Sequence, residues 1–162
     1  ISNFNAAQME QALRSAQFHS SQPRYNLIDR QIEAEDIPFC QRQGIGILAH
    51  SPLGKGLLTG RYRPGHRFAD DDERAQFPRF QGETFARYVA VADRLGEIAA
   101  ARGLSLVQLS IAWILRLPTL TCVLVGARNP QQVSDHLGAV EVEFSPEELA
   151  RIDAILEDAP RD

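Results

Sequence analysis

Short apolar runs alternate with stretches of helical periodicity along the chain. Residues 45–50 and 120–126 are mostly apolar, as in strands that are buried on both faces of a parallel sheet. From about Glu83 to Arg102, apolar residues recur at helical spacing, and Gly103 ends that pattern. The chain is therefore predicted to alternate strands with helices that cover them.

Capping signals locate the other helices, and the aromatic segment 23–28 ("PRYNLI") predicts a further strand. Trp113, which lies on a predicted helix, is expected in the core. The predicted helices run from Asn5 through Met9 and Leu13 to Ala16, from Asp36 to Gln43 before Gly44, from Glu83 to Arg102, from Ser105 through Trp113, from Asn129–Pro130 to Leu137, and onward from the capping box Ser145–Glu148.

A hydrophilic segment interrupts the pattern at residues 61–82, which we call the excursion. It contains Pro64, Gly65, Pro78 and Gly82 together with the acidic run 70–73. Prolines and glycines disfavour regular structure, and consecutive acids repel one another. The excursion is therefore predicted to be a long, solvated loop.

Composition narrows the class of protein. The 162 residues suffice for one globular domain, and a net charge of −4 disfavours broad binding to nucleic acid or to a membrane surface. Cys40 and Cys122 match no metal-ligand spacing, and we expect two buried free thiols. We find neither an apolar run of about 18 residues nor a basic leader, and we expect a cytoplasmic protein. The chain starts at Ile1 with what resembles the tail of a strand, and we expect a fragment.

A parallel sheet with helices on it is either doubly wound or a (β/α) barrel, and the pattern leaves both open. In both, ligands collect at the carboxyl ends of the strands, where the segment "HSPLGKG" follows one predicted strand. In this glycine loop (residues 50–56), Ser51 and Lys55 can donate hydrogen bonds, Pro52 stiffens the turn, and Gly54 and Gly56 allow close approach of a phosphate. An ordinary Gly/Pro turn is the alternative.

A second loop, "GARNPQQV" at residues 126–133, follows the last predicted strand. Arg128 lies just before the helix that Asn129–Pro130 should open. Backbone N–H groups, the helix dipole and a guanidinium would then converge on one phosphate. The alternative is that Arg128 is only a solvated surface cation.

Six segments together resemble the aldo-keto reductase family, in the branch of bacterial aldehyde reductases and potassium-channel beta subunits. They are "SNFNAAQM", "QPRYNLIDR", "GIGILAHSPLGKGLLTGRY", "RFQGE", "LSLVQLSIAWIL" and "VLVGARNPQQV". The resemblance implies an α/β fold, a (β/α)8 TIM barrel that binds NADP(H) and reduces aldehydes or ketones. Residues 1–162 would be the C-terminal half of that single domain, with parallel strands alternating with helices and the N-terminal half absent.

The resemblance also implies roles for individual residues. Asn3 could instead cap the next helix, Arg74 could pair with the neighbouring acids, and His136 could be a solvated helix residue. His50 replaces the family's Tyr or Trp. The implied cofactor-binding residues are Ser2, Asn3, Gln22 and His50 around the nicotinamide, Ser51, Pro52, Leu53, Gly54, Gly56 and Arg61 around the diphosphate, Arg74 in a covering loop, and Gly126, Arg128, Gln132, Asp135 and His136 around the adenosine 2′-phosphate and adenine.

The family's chemistry uses a Tyr general acid assisted by Lys, Asp and His. The resemblance places all four upstream of Ile1, and no tyrosine of this chain stands in that motif. We therefore expect no catalytic residues and no metal site here, and a small carbonyl substrate for the whole enzyme. The rival hypotheses are a regulatory NADP-binding subunit and a half barrel that pairs with itself, since an open parallel sheet leaves edges that need a partner.

Overall fold

The computed structural model describes residues 1–160, in which α-helices pack on three parallel strands. The predicted alternation of strands and helices is confirmed. The strands are β1 (Ser20–Ser21), β2 (Gly46–His50) and β3 (Leu120–Leu124), and the α-helices are α1 (Ala6–Leu13), α2 (Asp36–Gln43), α3 (Gly82–Ala101), α4 (Leu106–Leu115), α5 (Pro130–Leu137) and α6 (Pro146–Leu156).

The three strands are parallel and lie side by side in chain order. Ser20 pairs with Gly46 and His50 pairs with Leu124. Upstream of β1, Ser2 forms an isolated parallel bridge with Gln22, which adds a fourth strand position beside β1. The carboxyl ends of all four therefore lie along one edge.

The prediction of a strand at residues 23–28 is wrong. Regular pairing ends at Ser21, and only isolated bridges at Gln22 and Arg24 follow. The chain then turns, because the Asn26 carboxamide oxygen accepts hydrogen bonds from the backbone N–H groups of Ile28 and Asp29. The apolar side chains of this segment are buried through tertiary packing and not through pairing in a sheet.

The strand β3 is less buried than its apolar sequence predicts. Leu124 is 40% exposed, Cys122 is only half-buried, and β3 stands at the end of the strand order. A strand with a neighbour on one side keeps part of its surface in solvent. Cys40, by contrast, is buried against Met9, as expected of a free core thiol.

The helix ends largely follow their predicted caps. Asn5 and Ser105 begin α1 and α4 with reciprocal capping boxes, and Gly44 ends α2 in the left-handed conformation. The first helix stops at Leu13, before the predicted end at Ala16. In the excursion, two short 3₁₀ turns at 73–76 and 78–80 interrupt an otherwise irregular path.

Trp113 is buried in the core, as predicted, and the Arg116 guanidinium lies 3.7 Å from its ring centroid. Among the helices of residues 1–160, none is by itself long and apolar enough to cross a membrane. The pair α3 and α4 meets that test of length and composition only jointly, with an 86° bend between them.

Candidate functional site

The residues expected around a nicotinamide meet at the carboxyl ends of the strands. The Asn3 backbone N–H and the Ser2 hydroxyl both donate to the Gln22 carbonyl, at 3.2 and 3.0 Å. Asn5, not Asn3, caps α1, which removes the capping alternative for Asn3. The Asn3 side chain instead lies 2.9 Å from Nε2 of His50. Ser2, Asn3, Gln22 and His50 therefore form one cluster, which we call the strand-end cluster.

His50 has hydrogen-bond partners on both ring nitrogens. Its Nδ1 lies 2.9 Å from the Ser51 hydroxyl, and its Nε2 faces the Asn3 carboxamide oxygen. The neutral tautomer with the proton on Nε2 satisfies both, because Nδ1 then accepts from Ser51. Burial, followed by the positive charge of Arg24, lowers the pKa of His50, although Asp29 opposes the shift. A neutral ring is thus favoured here.

The glycine loop continues into a distorted 3₁₀ segment at Gly54–Thr59. Gly54 and Gly56 have φ values of +54° and +102°, which disfavour other residues. The N–H groups of both glycines donate to carbonyls of the same loop, those of Ser51 and Leu53. The two glycines therefore have a conformational reason to be there, apart from any close approach of a ligand.

A cleft of about 440 Å³ lies between the glycine loop, the excursion and the start of α5. Nine of the predicted cofactor residues line it, whereas the strand-end cluster, Ser51, Pro52 and Gly54 do not. The nine are Leu53, Gly56, Arg61, Arg74, Gly126, Arg128, Gln132, Asp135 and His136, and they are joined by Lys55, Thr59, Tyr62, Ser105 and Val107.

Arg74 pairs with one of the neighbouring acids and also lines the cleft. Its guanidinium contacts both carboxylate oxygens of Asp72, and it donates to the Tyr62 hydroxyl at 2.6 Å. The hydrogen bonds that Asp72 accepts from the side chain and the backbone N–H of Arg74 lower the pKa of Asp72 to about 2. On the same side of the loop, Lys55 pairs with Glu73 at 2.5 Å. The excursion is thus folded back onto the glycine loop.

Arg128 is exposed at the other side of the cleft, and no ion pair joins its guanidinium to any residue in the range 1–160. Its backbone N–H donates to Oε1 of Gln132 at 2.7 Å, while Asn129 caps α5 through the Gln132 N–H. Its charge also contributes to the low pKa of Asp72 across the cleft. Asp135 is held by Gln131 at 2.9 Å.

Sequence reasoning missed several cleft residues. Tyr62 ends the quoted segment "GKGLLTGRY", and its hydroxyl contact with Arg74 depends on how the excursion folds. Ser105 was recognised only as a helix cap. No local pattern brings it beside the glycine loop. Across residues 1–160, no group of three or more His, Cys, Asp or Glu side chains is placed to hold a metal ion.

Comparison with known proteins defines the class. Residues 1–157 match the model of the aldo/keto reductase family, so the chain belongs to that family. It is 33% identical over 163 residues to the aldo-keto reductase YhdN of Bacillus subtilis strain 168, covering 100% of this chain and 49% of the relative. The resemblance in the sequence is thereby confirmed.

Two other relatives are similar to the chain at about the same level of identity. The chain is 33% identical over 149 residues to a probable voltage-gated potassium channel subunit beta of Oryza sativa subsp. japonica, covering 86% of this chain and 44% of that protein. It is 34% identical over 146 residues to the L-glyceraldehyde 3-phosphate reductase of Escherichia coli O157:H7, covering 85% of this chain and 41% of that protein.

A solved structure is similar over the same extent. The glycerol dehydrogenase AKR11B4 from Gluconobacter oxydans superposes with a TM-score of 0.89 at 33% identity, over 99% of this chain and 50% of that one. The chain therefore spans about half the length of the relatives that it matches.

Proposed function

We propose that residues 1–162 are the C-terminal half of a (β/α)8 barrel in an NADP(H)-dependent aldo-keto reductase, which reduces aldehydes or ketones by hydride transfer. Two observations support the half barrel. The chain contributes strand positions in unbroken chain order, starting at Ser2, and a doubly wound sheet would reverse its order at a switch point. The similar solved chain is also about twice as long.

The observation that carries the cofactor proposal is the charge of the cleft. Arg61, Arg74 and Arg128 all line it, next to the amide of Gln132. Asp72 compensates Arg74, whereas Arg61 and Arg128 have no ion pair within the described residues 1–160. The acid that lines the cleft, Asp135, accepts a hydrogen bond from Gln131, so the lining keeps a positive charge. A phosphate monoester with a charge of about −1.5 to −2 would meet guanidinium groups that can bind it bidentately. The donor set therefore fits the 2′-phosphate of NADP(H).

The strand-end cluster suits the other end of the cofactor. The side-chain amides of Asn3 and Gln22 carry the donors and acceptors that match a carboxamide. A neutral His50 offers a flat ring face to the nicotinamide without adding a charge. When it is bound, NADPH supplies the hydride, and these residues would fix which face of its ring is presented. Ser51, between the cluster and the cleft, would lie near the diphosphate.

The tyrosines of this chain are committed to other contacts. Tyr25 donates to Glu33 at 2.6 Å, and burial together with this hydrogen bond raises its pKa. A general acid of this family needs the opposite shift. Tyr62 accepts from Arg74, and Tyr88 donates to the Pro160 carbonyl at 3.0 Å. These contacts support our proposal that the catalytic Tyr, Lys, Asp and His belong to the other half of the barrel. We also propose that the whole protein is cytoplasmic.

Two specific observations favour alternatives. Similarity to a protein named as a channel beta subunit favours a regulatory NADP-binding subunit, in which turnover is secondary. The apolar side chains of Val133, Leu137 and Val140 are 50%, 66% and 63% exposed, which favours a half barrel that covers them by self-association. Steady-state turnover of aldehydes by the full-length protein distinguishes an enzyme from a regulatory subunit, in which turnover would be slow. Sedimentation of residues 1–162 tests the second.

The cofactor proposal is tested by Arg128→Ala in the full-length protein, with Arg63→Ala as the matched control. Arg63 is also exposed and does not line the cleft; it pairs with Asp93 and donates to the backbone carbonyls of Gly60 and Tyr62. Losing a charge-assisted contact of about 1.5 to 3 kcal/mol should weaken NADPH binding by about tenfold to a hundredfold. NADH binding should barely change, and Arg63→Ala should affect neither. An equal loss for both cofactors would contradict the assignment.

A further inference from the structure

Arg24 is an exposed cation at the carboxyl end of the strands that the cofactor proposal does not use. Its backbone forms a parallel bridge with His50, so it lies next to the strand-end cluster. Within residues 1–160, its guanidinium takes part in no hydrogen bond or ion pair. A guanidinium that is free at a strand end is available to a ligand.

Three adjoining cavities share Arg24 and Arg79 in their walls. One of about 480 Å³ begins at Asn3, and one of about 420 Å³ is closed by Phe77 and Pro78 of the excursion. A narrow space of about 10 Å³ is also lined by Ser51 and Gly54. We call the three cavities together the groove; their walls include Asn3 of the strand-end cluster and Phe77 and Pro78 of the excursion. Arg24 contributes to the wall of all three.

The other charges of the groove are largely neutralised. Arg79 forms two hydrogen bonds with the buried carboxylate of Asp29, at 3.0 and 3.2 Å. Lys55 pairs with Glu73 at 2.5 Å and lies 4.9 Å from the ring centroid of Phe77. Among these three cations of the described residues, Arg24 is the one without a carboxylate partner.

Asp36 also lines the end of the groove near Asn3. Its carboxylate accepts the Ala6 N–H at 2.7 Å and keeps its negative charge at that end. The linings of the other two cavities include no acid besides Asp29, which pairs with Arg79, so the groove is most positive toward the excursion. A small molecule with an apolar body and an anionic end matches this distribution.

We propose that Arg24, assisted by Lys55, binds the carboxylate or phosphate of an anionic carbonyl substrate whose carbonyl lies at the strand-end cluster. This substrate class rests on the proposed function, because it assumes hydride transfer at the strand-end cluster. The apolar wall of Phe77 and Pro78 contacts the carbon chain. The cofactor phosphates have separate cations in the cleft, so Arg24 is a specificity-determining residue for substrate.

The test compares Arg24→Gln with Arg63→Gln in the full-length protein, using matched substrates. The carboxylate pair is 4-oxobutanoate and butanal, and the phosphate pair is glyceraldehyde 3-phosphate and glyceraldehyde. Arg24→Gln should raise the KM of the preferred anion by about tenfold to a hundredfold, and the KM of its neutral counterpart by less than twofold. Which anion responds identifies the anionic group. Equal effects on anionic and neutral substrates would overturn the proposal.

Two binding measurements separate this proposal from the proposed function. The dissociation constant of NADPH should be unchanged in Arg24→Gln; a tenfold rise would mean that Arg24 serves the cofactor diphosphate instead. Succinate and glycerol 3-phosphate, titrated calorimetrically, provide a readout without turnover. The anion that binds should bind about tenfold more weakly to Arg24→Gln and normally to Arg63→Gln. Binding of neither anion to the unmodified protein would refute the subsite, even if Arg128→Ala still weakens NADPH.

Discussion

Replacing Gly56 by alanine should cost more stability than the same change at Gly44. Both glycines are in the positive-φ region, at +102° and +65°. A Cβ at Gly44 would meet nothing within 4 Å, so that site measures backbone strain alone. A Cβ at Gly56 would lie 2.7 Å from the Tyr62 hydroxyl and 3.3 Å from two ring carbons. Tyr62 must therefore move.

The magnitudes follow from these contacts. A left-handed alanine costs about 1 to 2 kcal/mol, and the stiffer unfolded chain returns about 0.4 to 1 kcal/mol, leaving about 1 kcal/mol at Gly44. At Gly56, moving Tyr62 also breaks its 2.6 Å hydrogen bond from Arg74. A hydrogen bond to a charged group contributes about 1.5 to 3 kcal/mol, so we expect a total of about 2 to 4 kcal/mol.

Urea unfolding of the full-length protein measures these free energies, and Tyr62→Phe completes a double-mutant cycle. Without the hydroxyl the 2.7 Å contact is gone while the ring carbons at 3.3 Å remain, so Gly56→Ala should cost only about 1 to 2 kcal/mol. If Gly56→Ala and Gly44→Ala destabilise the protein equally, the contact with Tyr62 is not the reason for glycine at position 56. If Gly56→Ala leaves stability unchanged and only weakens NADPH binding, close approach of the cofactor is the reason instead.

Three further predictions concern titration and exposed surface. Burial raises the pKa of Tyr25, so its contribution to stability is present below the ordinary pKa of about 10 and is lost as pH rises through the higher folded pKa. Tyr25→Phe should reduce this alkaline loss of stability, measured by urea unfolding. An unchanged dependence of stability on pH would contradict the prediction. The contribution of Asp72 is present above the ordinary carboxyl pKa of about 4 and is lost as pH falls through its folded pKa of about 2; in Arg74→Met, a carboxyl NMR titration should return that pKa to its ordinary range. Residues 1–162 alone should bind hydrophobic dyes and self-associate because α5 exposes apolar side chains, and a monodisperse, cooperatively unfolding monomer would argue against this.

The sequence predicted best what is decided locally. Asn5, Ser105 and Ser145 cap helices through hydrogen bonds to residues three positions away, so their patterns carry the whole interaction. The apolar pattern at 23–28 predicts a strand wrongly, because distant helices bury these side chains. The turn in this segment depends on one carboxamide, that of Asn26, which also donates to the Ser51 carbonyl at 2.9 Å.

The sequence predicts those parts of the candidate site that lie within a single loop, and misses those that depend on contacts between loops. Arg128 and Gln132 lie four residues apart at a helix start, and the sequence alone brings them together. The partner of Arg74 was open among four acids, and the 3₁₀ turn that Asp72 caps selects Asp72. Tyr62 enters the cleft only because the excursion folds back, which no local pattern specifies.

Two of the ion pairs that attach the excursion, both in the walls of the groove or the cleft, differ in strength. Arg79 and Asp29 have side chains that are 17% and 5% exposed, and breaking such a buried pair costs about 3 to 5 kcal/mol. Lys55 and Glu73 are 34% and 69% exposed, and a pair in that environment contributes about 0 to 1 kcal/mol. The excursion is thus fixed firmly near Arg79 and weakly at Glu73. Because Lys55 lines both the cleft and the groove, an anion that binds Lys55 from either side competes with Glu73 alone, and the firm attachment at Arg79 keeps the wall of the groove in place.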